Sequence, residues 1–274
     1  MNAASLIELR PGGSRPPLVM IHALSGTLLP YLALTGALDG TSPVYGIEAD
    51  GLDGKRQPLR DVASLARRYA ATIRDAFGGA PVTVLGWSFG GIVAAEVAAR
   101  LAASGASPSA VLIDVQRLNP SRPNRTLDAD EELVEFGRLM MSGTTPAAAK
   151  PPTLAELRAI PARGRLAHLF ETIVEVRPRT PVAMLHDFLR VFRANLVAHD
   201  AYVPAEIRRI AALFVRSHGQ THPERDPSLG WRRWFADGID AAVAPGDHDS
   251  ILDASNVAAL AACIDQWQLR HVST

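Results

Sequence analysis

Near the first third of the chain, Gly86-Trp87-Ser88-Phe89-Gly90 sets a serine between two glycines, with the apolar run PVTVLGW before it and a helical run from Gly91 to Leu101 after it. A residue at the tip of so sharp a strand-to-helix turn is held in a strained backbone conformation. Its neighbours two before and two after come too close for side chains, and glycine relieves both contacts. In this context G-x-S-x-G is a nucleophile elbow. It lifts the hydroxyl of Ser88 clear of a sheet edge and places it at a helix N-terminus, where negative charge is favoured. The backbone N–H of Phe89 can then donate to an oxyanion.

A serine hydroxyl is a poor nucleophile without a base, and the base needs a carboxylate to orient it. Of the eight histidines, His248 in APGDHDSIL has the right place, between the last strand and the last helix, so that its loop returns over the sheet edge. Two acids compete for the third role. Asp114 closes the apolar run SAVLIDV, whereas Asp226 lies in the polar loop HGQTHPERDPSLGW after the next strand. An aspartate that closes an apolar strand is unusual unless something needs it there, which favours Asp114 and leaves Asp226 as the alternative. Asp247 and Asp249, flanking the histidine, read as solvated loop residues.

These side chains need a scaffold that alternates strands with helices. Apolar runs at 16–24, 43–49, 81–87 and 109–115 read as strands, with helices at 60–77 and 91–101 between them, and strands resume at 210–218 and 238–246 before a final helix over 255–269. The rhythm predicts parallel strands with crossover helices on both faces. Between about 116 and 205 it breaks into loops and helix-like segments around 129–142, 163–176 and 181–199, so the expected organisation is one α/β domain over 1–274 with a helical insertion. PAAAKPP reads as a mobile connection within the insertion.

Composition narrows the function classes. Lysine plus arginine equals aspartate plus glutamate at 28 each, so no global field recruits nucleic acid or an anionic membrane. Charges interrupt every apolar stretch, so no membrane span is expected, and the N-terminus lacks the features of a signal peptide, which predicts a cytoplasmic protein. The single cysteine, Cys263, excludes a disulfide framework and reads as a buried helix residue. His218 and His222 are four apart but lie in a Gly/Pro loop without a carboxylate cluster, so no metal site is expected. His186 and His199, on insertion helices, read as surface or satisfied histidines. Met184, Leu185, Phe188, Leu189, Val191 and Phe192 fit a buried face or an acyl-channel wall, and the arginines at 177, 179, 190 and 193 fit a solvated face or a docking surface.

The segments LIELRPGGSRPPLVMIHALSG, VLGWSFGGIVAAEVAARLAASG, VLIDV, DPSLGW and VAPGDHDSIL, in this order, resemble the product-releasing thioesterase domains of nonribosomal peptide synthetases and related polyketide assembly lines. The resemblance runs from about residue 6 to 268. It implies an α/β-hydrolase fold, a mostly parallel central sheet flanked by helices, with the insertion as a lid over the acyl chain. It carries the acid onto Asp114, makes DPSLGW a structural loop, and assigns a second oxyanion donor to the backbone N–H of Leu24. Two positions depart from the family pattern: Val115 stands where serine is usual, and His22 is followed by Ala23 where proline is usual. The implied substrate is an acyl or peptidyl chain held as a thioester on the 4'-phosphopantetheine of a carrier protein, with no cofactor bound by the enzyme itself. The implied reaction passes through a Ser88 acyl-enzyme and ends in hydrolysis or cyclisation. An editing thioesterase acting in trans and a general carboxylesterase or lipase are the rival readings.

Overall fold

The computed structural model describes residues 4–115, 127–141, 150–219 and 226–271. The first half of the chain builds one side of a sheet from β1 (Leu6–Arg10), β2 (Leu18–Ile21), α1 (Leu32–Ala37), β3 (Val44–Ile47), α2 (Val62–Phe77), β4 (Val82–Trp87), α3 (Phe89–Ala103) and β5 (Pro108–Ile113). Four helices follow, α4 (Ala129–Met141), α5 (Leu154–Ala159), α6 (Ala162–Val176) and α7 (Val182–Ala201). The chain then returns to the sheet through β6 (Ala211–Ser217) and β7 (Asp240–Ala244), and ends in α8 (Val257–His271). The strand order is β1-β3-β2-β4-β5-β6-β7. All ladders are parallel except β1 with β3. This is the doubly covered, mostly parallel sheet that the alternating rhythm predicts, with an antiparallel edge strand that it does not announce.

Central strands are buried on both faces, so they read as continuous apolar runs. Along β4, Val84 faces α2 and α3 with Val19, Ala110 and Phe214, while Leu85 faces α1 and α8 with Met20, Val111 and Leu213. One hydrophobic layer is closed by Leu65, Tyr69 and Val97, the other by Leu34, Leu260 and Trp267. Helix α2 is delimited as its sequence suggests. The Asp61 carboxylate accepts the Ser64 N–H at its start (2.7 Å) and Gly78, at φ 63°, closes its end.

The helices α4 to α7 form a third hydrophobic cluster of their own, around Phe136, Leu169, Phe170, Ile173, Leu185 and Phe192. They stand between β5 and β6, two strands that pair directly, so the insertion rises from the sheet edge without interrupting the ladder. Helix α5, closed by a Thr153/Glu156 capping box, is an extra element of the insertion. Cys263 lies on α8 but is half-buried rather than buried, because the inward face is occupied by Leu260, Ala261, Ile264 and Trp267. The PAAAKPP stretch falls largely outside the described residues, as do residues 116–126 at the start of the insertion. No helix among the described residues is long and apolar enough to cross a membrane.

Candidate active site

Parallel strands share one C-terminal edge, and loops leaving that edge converge. Ser88, Asp114 and His248 leave it from β4, β5 and β7 respectively. Ser88 has φ 54° and ψ −127°, a conformation that costs a non-glycine residue of order 1–3 kcal/mol and persists only where the surroundings impose it. They do so here: the Ser88 N–H donates to the Ile113 carbonyl (3.0 Å) and its own carbonyl accepts the Gly91 N–H (3.0 Å). A Cβ on Gly86 would lie 2.1 Å from the Gly90 carbonyl, and one on Gly90 would lie 2.5 Å from the Ile21 carbonyl oxygen. Both glycines of the elbow are therefore required by close backbone approach.

The Ser88 hydroxyl stands 3.1 Å from Nε2 of His248, and Nδ1 of His248 stands 2.8 Å from Oδ2 of Asp114. Asp114 is fully buried, and its other carboxylate oxygen accepts the Ser217 N–H at 2.7 Å. Its backbone also sits at φ 45°, with its N–H donating to the Val215 carbonyl (2.7 Å). A carboxylate can only accept, so Nδ1 carries the imidazole proton and Nε2 is left to accept from Ser88. The Trp87 indole N–H donates to the His248 carbonyl (3.1 Å) and the two rings lie 5.3 Å apart, which fixes the loop that carries His248. Asp226, the alternative acid, is engaged elsewhere: its carboxylate accepts the Ser228 N–H and hydroxyl and the Gly230 N–H and so organises its own turn.

The Phe89 N–H opens α3 directly after the serine. The Leu24 N–H belongs to the Ala23–Leu24 peptide, whose carbonyl accepts from Nδ1 of His22 (2.8 Å) and from the Gly26 N–H (3.0 Å). Nε2 of His22 in turn accepts from the Tyr69 hydroxyl (2.7 Å). Burial drives the His22 pKa down to about 4, so the ring holds this peptide as a neutral donor. From the insertion, Asn195 donates to the Leu24 carbonyl at 3.1 Å. Neither the Leu24 nor the Phe89 amide has an acceptor among the described residues.

Above the serine lies a cavity of about 600 Å³, walled by Leu24, Trp87, Ser88 and His248 below and by Val134, Arg138, Leu139, Leu196 and His199 from the insertion above. His199 therefore faces the site, paired with Asp200 (3.0 Å) and edge-on to Phe89, a placement that its helix position alone does not reveal. Asp247 caps its own turn through Ser250 (2.9 Å), but Asp249 is more than a solvated loop residue, because it pairs with Arg138 of α4. The insertion arginines are largely engaged within the chain: Arg177 with the Met140 carbonyl, Arg190 with Asp187 and the Gly51 carbonyl, and Arg193 with Glu132. Of the apolar residues expected on one face of α7, Leu185, Leu189, Val191 and Phe192 are buried and Met184 is exposed. His222 lies outside the described residues.

A family model described as a thioesterase domain matches residues 16–267. Among curated proteins, malpibaldin synthetase of Mortierella alpina is 39% identical over 100 residues, 36% of this chain and 2% of that one. Thioesterase pytI of Aspergillus terreus is 36% identical over 132 residues, 44% of this chain and 42% of that one. The chain thus matches less than half the length of either relative. Among solved structures, holo-AB3403, a four-domain nonribosomal peptide synthetase bound to AMP and glycine, superposes with a TM-score of 0.85 at 25% identity over 98% of this chain and 20% of that one. The Vlm2 thioesterase domain shares the fold, with a TM-score of 0.68 at 21% identity over 96% of this chain and 97% of that one.

Proposed function

The chain belongs to the thioesterase domain family, and from that premise we propose that it releases an acyl or peptidyl chain from the phosphopantetheine thioester of a carrier protein through an acyl-enzyme on Ser88. The observation that carries the proposal is the unbroken hydrogen-bond chain from Ser88 through His248 to buried Asp114, at the floor of a cavity covered by the insertion.

In the first half-reaction Nε2 of His248 takes the Ser88 proton as Oγ bonds to the thioester carbonyl carbon. The Leu24 and Phe89 amides hold the tetrahedral oxyanion, worth about 3–4 kcal/mol per donor where such donors have been removed. The carbon–sulfur bond then breaks and the departing thiol takes the proton back from His248. In the second, His248 deprotonates water, or a hydroxyl or amine of the bound chain, which attacks the Ser88 ester; the serine leaves reprotonated. The imidazolium formed in each half is stabilised by Asp114. Hydrolysis and cyclisation use the same groups, and exclusion of water under the insertion decides between them. A synthetase context for the carrier is supported by the names of relatives such as malpibaldin synthetase.

Intact-protein mass spectrometry after brief exposure to acyl and peptidyl N-acetylcysteamine thioesters tests this reading. A transient adduct on the wild type and none on Ser88→Ala, followed by free acid or cyclic product, is expected. Turnover of simple esters with neither adduct nor turnover across the thioester panel would overturn it in favour of a carboxylesterase.

A further inference from the structure

Strands β2 and β4 pair in parallel as far as Ile21 opposite Gly86. One residue later the two chains part, β2 into the loop that carries Leu24 and β4 into the elbow that carries Ser88. At the fork the ladder would leave the Trp87 N–H and the Ile21 carbonyl without each other. The Tyr31 hydroxyl sits between them, accepting from the Trp87 N–H at 2.8 Å and donating to the Ile21 carbonyl at 2.7 Å. It is an inserted rung that uses both capacities of the hydroxyl.

The inserted rung widens the strand ends where α3 begins. Gly90 packs into that fork: a Cβ there would lie 2.5 Å from the Ile21 carbonyl oxygen, 2.8 Å from that of His22 and 3.0 Å from the Tyr31 hydroxyl. The Tyr31 side chain is fully buried, and burial raises its pKa well above the ordinary phenol value, so the hydroxyl keeps the proton that it donates to Ile21. Tyr31 is also anchored from its own backbone, its N–H to the Leu28 carbonyl (3.0 Å) and its carbonyl from the Thr35 hydroxyl (2.9 Å). Thus Tyr31 closes the 22–31 loop and reaches back to both strand ends from which the two candidate oxyanion amides depart.

We infer that Tyr31 is a positioning residue for acyl transfer: its hydroxyl sets the distance between the Leu24 loop and the Ser88 elbow, and hence the geometry of the two oxyanion donors. The inference rests on the acyl-enzyme reading above. Tyr31 touches no substrate; it acts through the Trp87 and Ile21 peptides. Displacing reacting groups by a fraction of an ångström to an ångström costs between about tenfold and a hundredfold in rate.

The test is Tyr31→Phe, which keeps the ring and deletes only the rung, beside Thr35→Val, which loosens the same segment and leaves the rung intact. Three quantities are read for each folded variant: kcat and KM on an N-acetylcysteamine thioester, the rate of Ser88 labelling by a fluorophosphonate, and the affinity of a tetrahedral boronate. Tyr31→Phe is expected to lower kcat, labelling and boronate affinity together by about tenfold or more with KM within about twofold, while Thr35→Val lowers only the unfolding midpoint. Equal losses in the two variants, or a Tyr31→Phe protein with wild-type kcat and boronate affinity, would overturn the inference. A wild type that is labelled at Ser88 but turns over no thioester sinks the release reading alone, and labelling and boronate affinity then decide for Tyr31. A wild type that is not labelled sinks both.

Discussion

Asp114 occupies a left-handed backbone position, φ 45°, that a bulky residue avoids but asparagine tolerates nearly as well as aspartate. This makes Asp114→Asn a clean probe, since the backbone turn survives while the charge is lost. The asparagine carbonyl would keep the Ser217 N–H, so its amide group would face Nδ1 of His248 and force the proton onto Nε2. A histidine in that tautomer cannot accept from Ser88. Loss of about 10³–10⁴ in kcat is expected, with an unfolding midpoint within a few degrees of wild type, measured by steady-state thioester hydrolysis and calorimetry. His22 gives a second prediction at this scale. Its pKa is about 4 in the folded chain against an ordinary 6.5, so the unfolded chain binds more protons between those values and stability falls as pH drops from 6.5 to 4. The difference amounts to roughly 2–3 kcal/mol between pH 7 and 4.5. Asp265 works the other way: burial and nearby Asp39 raise its pKa to about 6, so the folded chain holds its proton there and gains stability at low pH. His22→Asn retains a donor for the Ala23 carbonyl and cannot titrate. The wild type should therefore lose stability relative to His22→Asn over this range in urea titrations, and a constant difference would contradict a neutral buried His22.

Packing between elements accounts for one departure from the family pattern. Val115, where the resemblance leads one to expect serine, is fully buried under the start of α3, and a Cβ on Gly91 would lie 2.3 Å from its Cγ2 and 2.9 Å from the Gly86 carbonyl oxygen. A third glycine after the elbow thus makes room for a branched side chain. Gly91→Ala should destabilise the chain by about 1–3 kcal/mol through overpacking, and adding Val115→Ala should recover part of that, with a coupling of about 1 kcal/mol in a double-mutant cycle by denaturant unfolding. Strict additivity would place the strain on the Gly86 backbone instead. The elbow was legible because its determinants lie within five residues and the flanking runs. The place of Asp114 at the end of β5, within hydrogen-bond reach of His248, was legible because a charge closing an apolar strand is conspicuous. Strand β1 was not, since LIELR is short, half-exposed and carries Glu8 and Arg10, as an edge strand can. Tyr31, Asn195 and His199 escaped for another reason: Asn195 reaches Leu24 across 171 residues of sequence, and no local pattern records such a meeting.

At the scale of the molecule, the helices of the insertion have their own hydrophobic cluster and a lattice of ion pairs among themselves, Arg165 and Arg158 on Asp130 and Arg193 on Glu132. Among the described residues, Arg138 ties the insertion to the His248 loop, holding Glu135 on its own helix and Asp249 across the cavity wall. Arg138 is 30% and Asp249 53% exposed, and an ion pair that wet contributes about 1 kcal/mol or less. Removing it should therefore loosen the insertion without unfolding the chain. Arg138→Ala is expected to speed hydrogen exchange in α4 and in the 245–253 loop by up to about fivefold, a factor that corresponds to about 1 kcal/mol, while exchange in β4 and β5 stays unchanged. Because the Debye length shrinks from about 10 Å at 0.1 M to about 3 Å at about 1 M, raising salt over that range should speed exchange of the 245–253 loop in the wild type and change it less in Arg138→Ala. Loosening that spread into β4 and β5 would instead mean that insertion and sheet open as one cooperative body, and the cavity over Ser88 could then admit water only by partial unfolding.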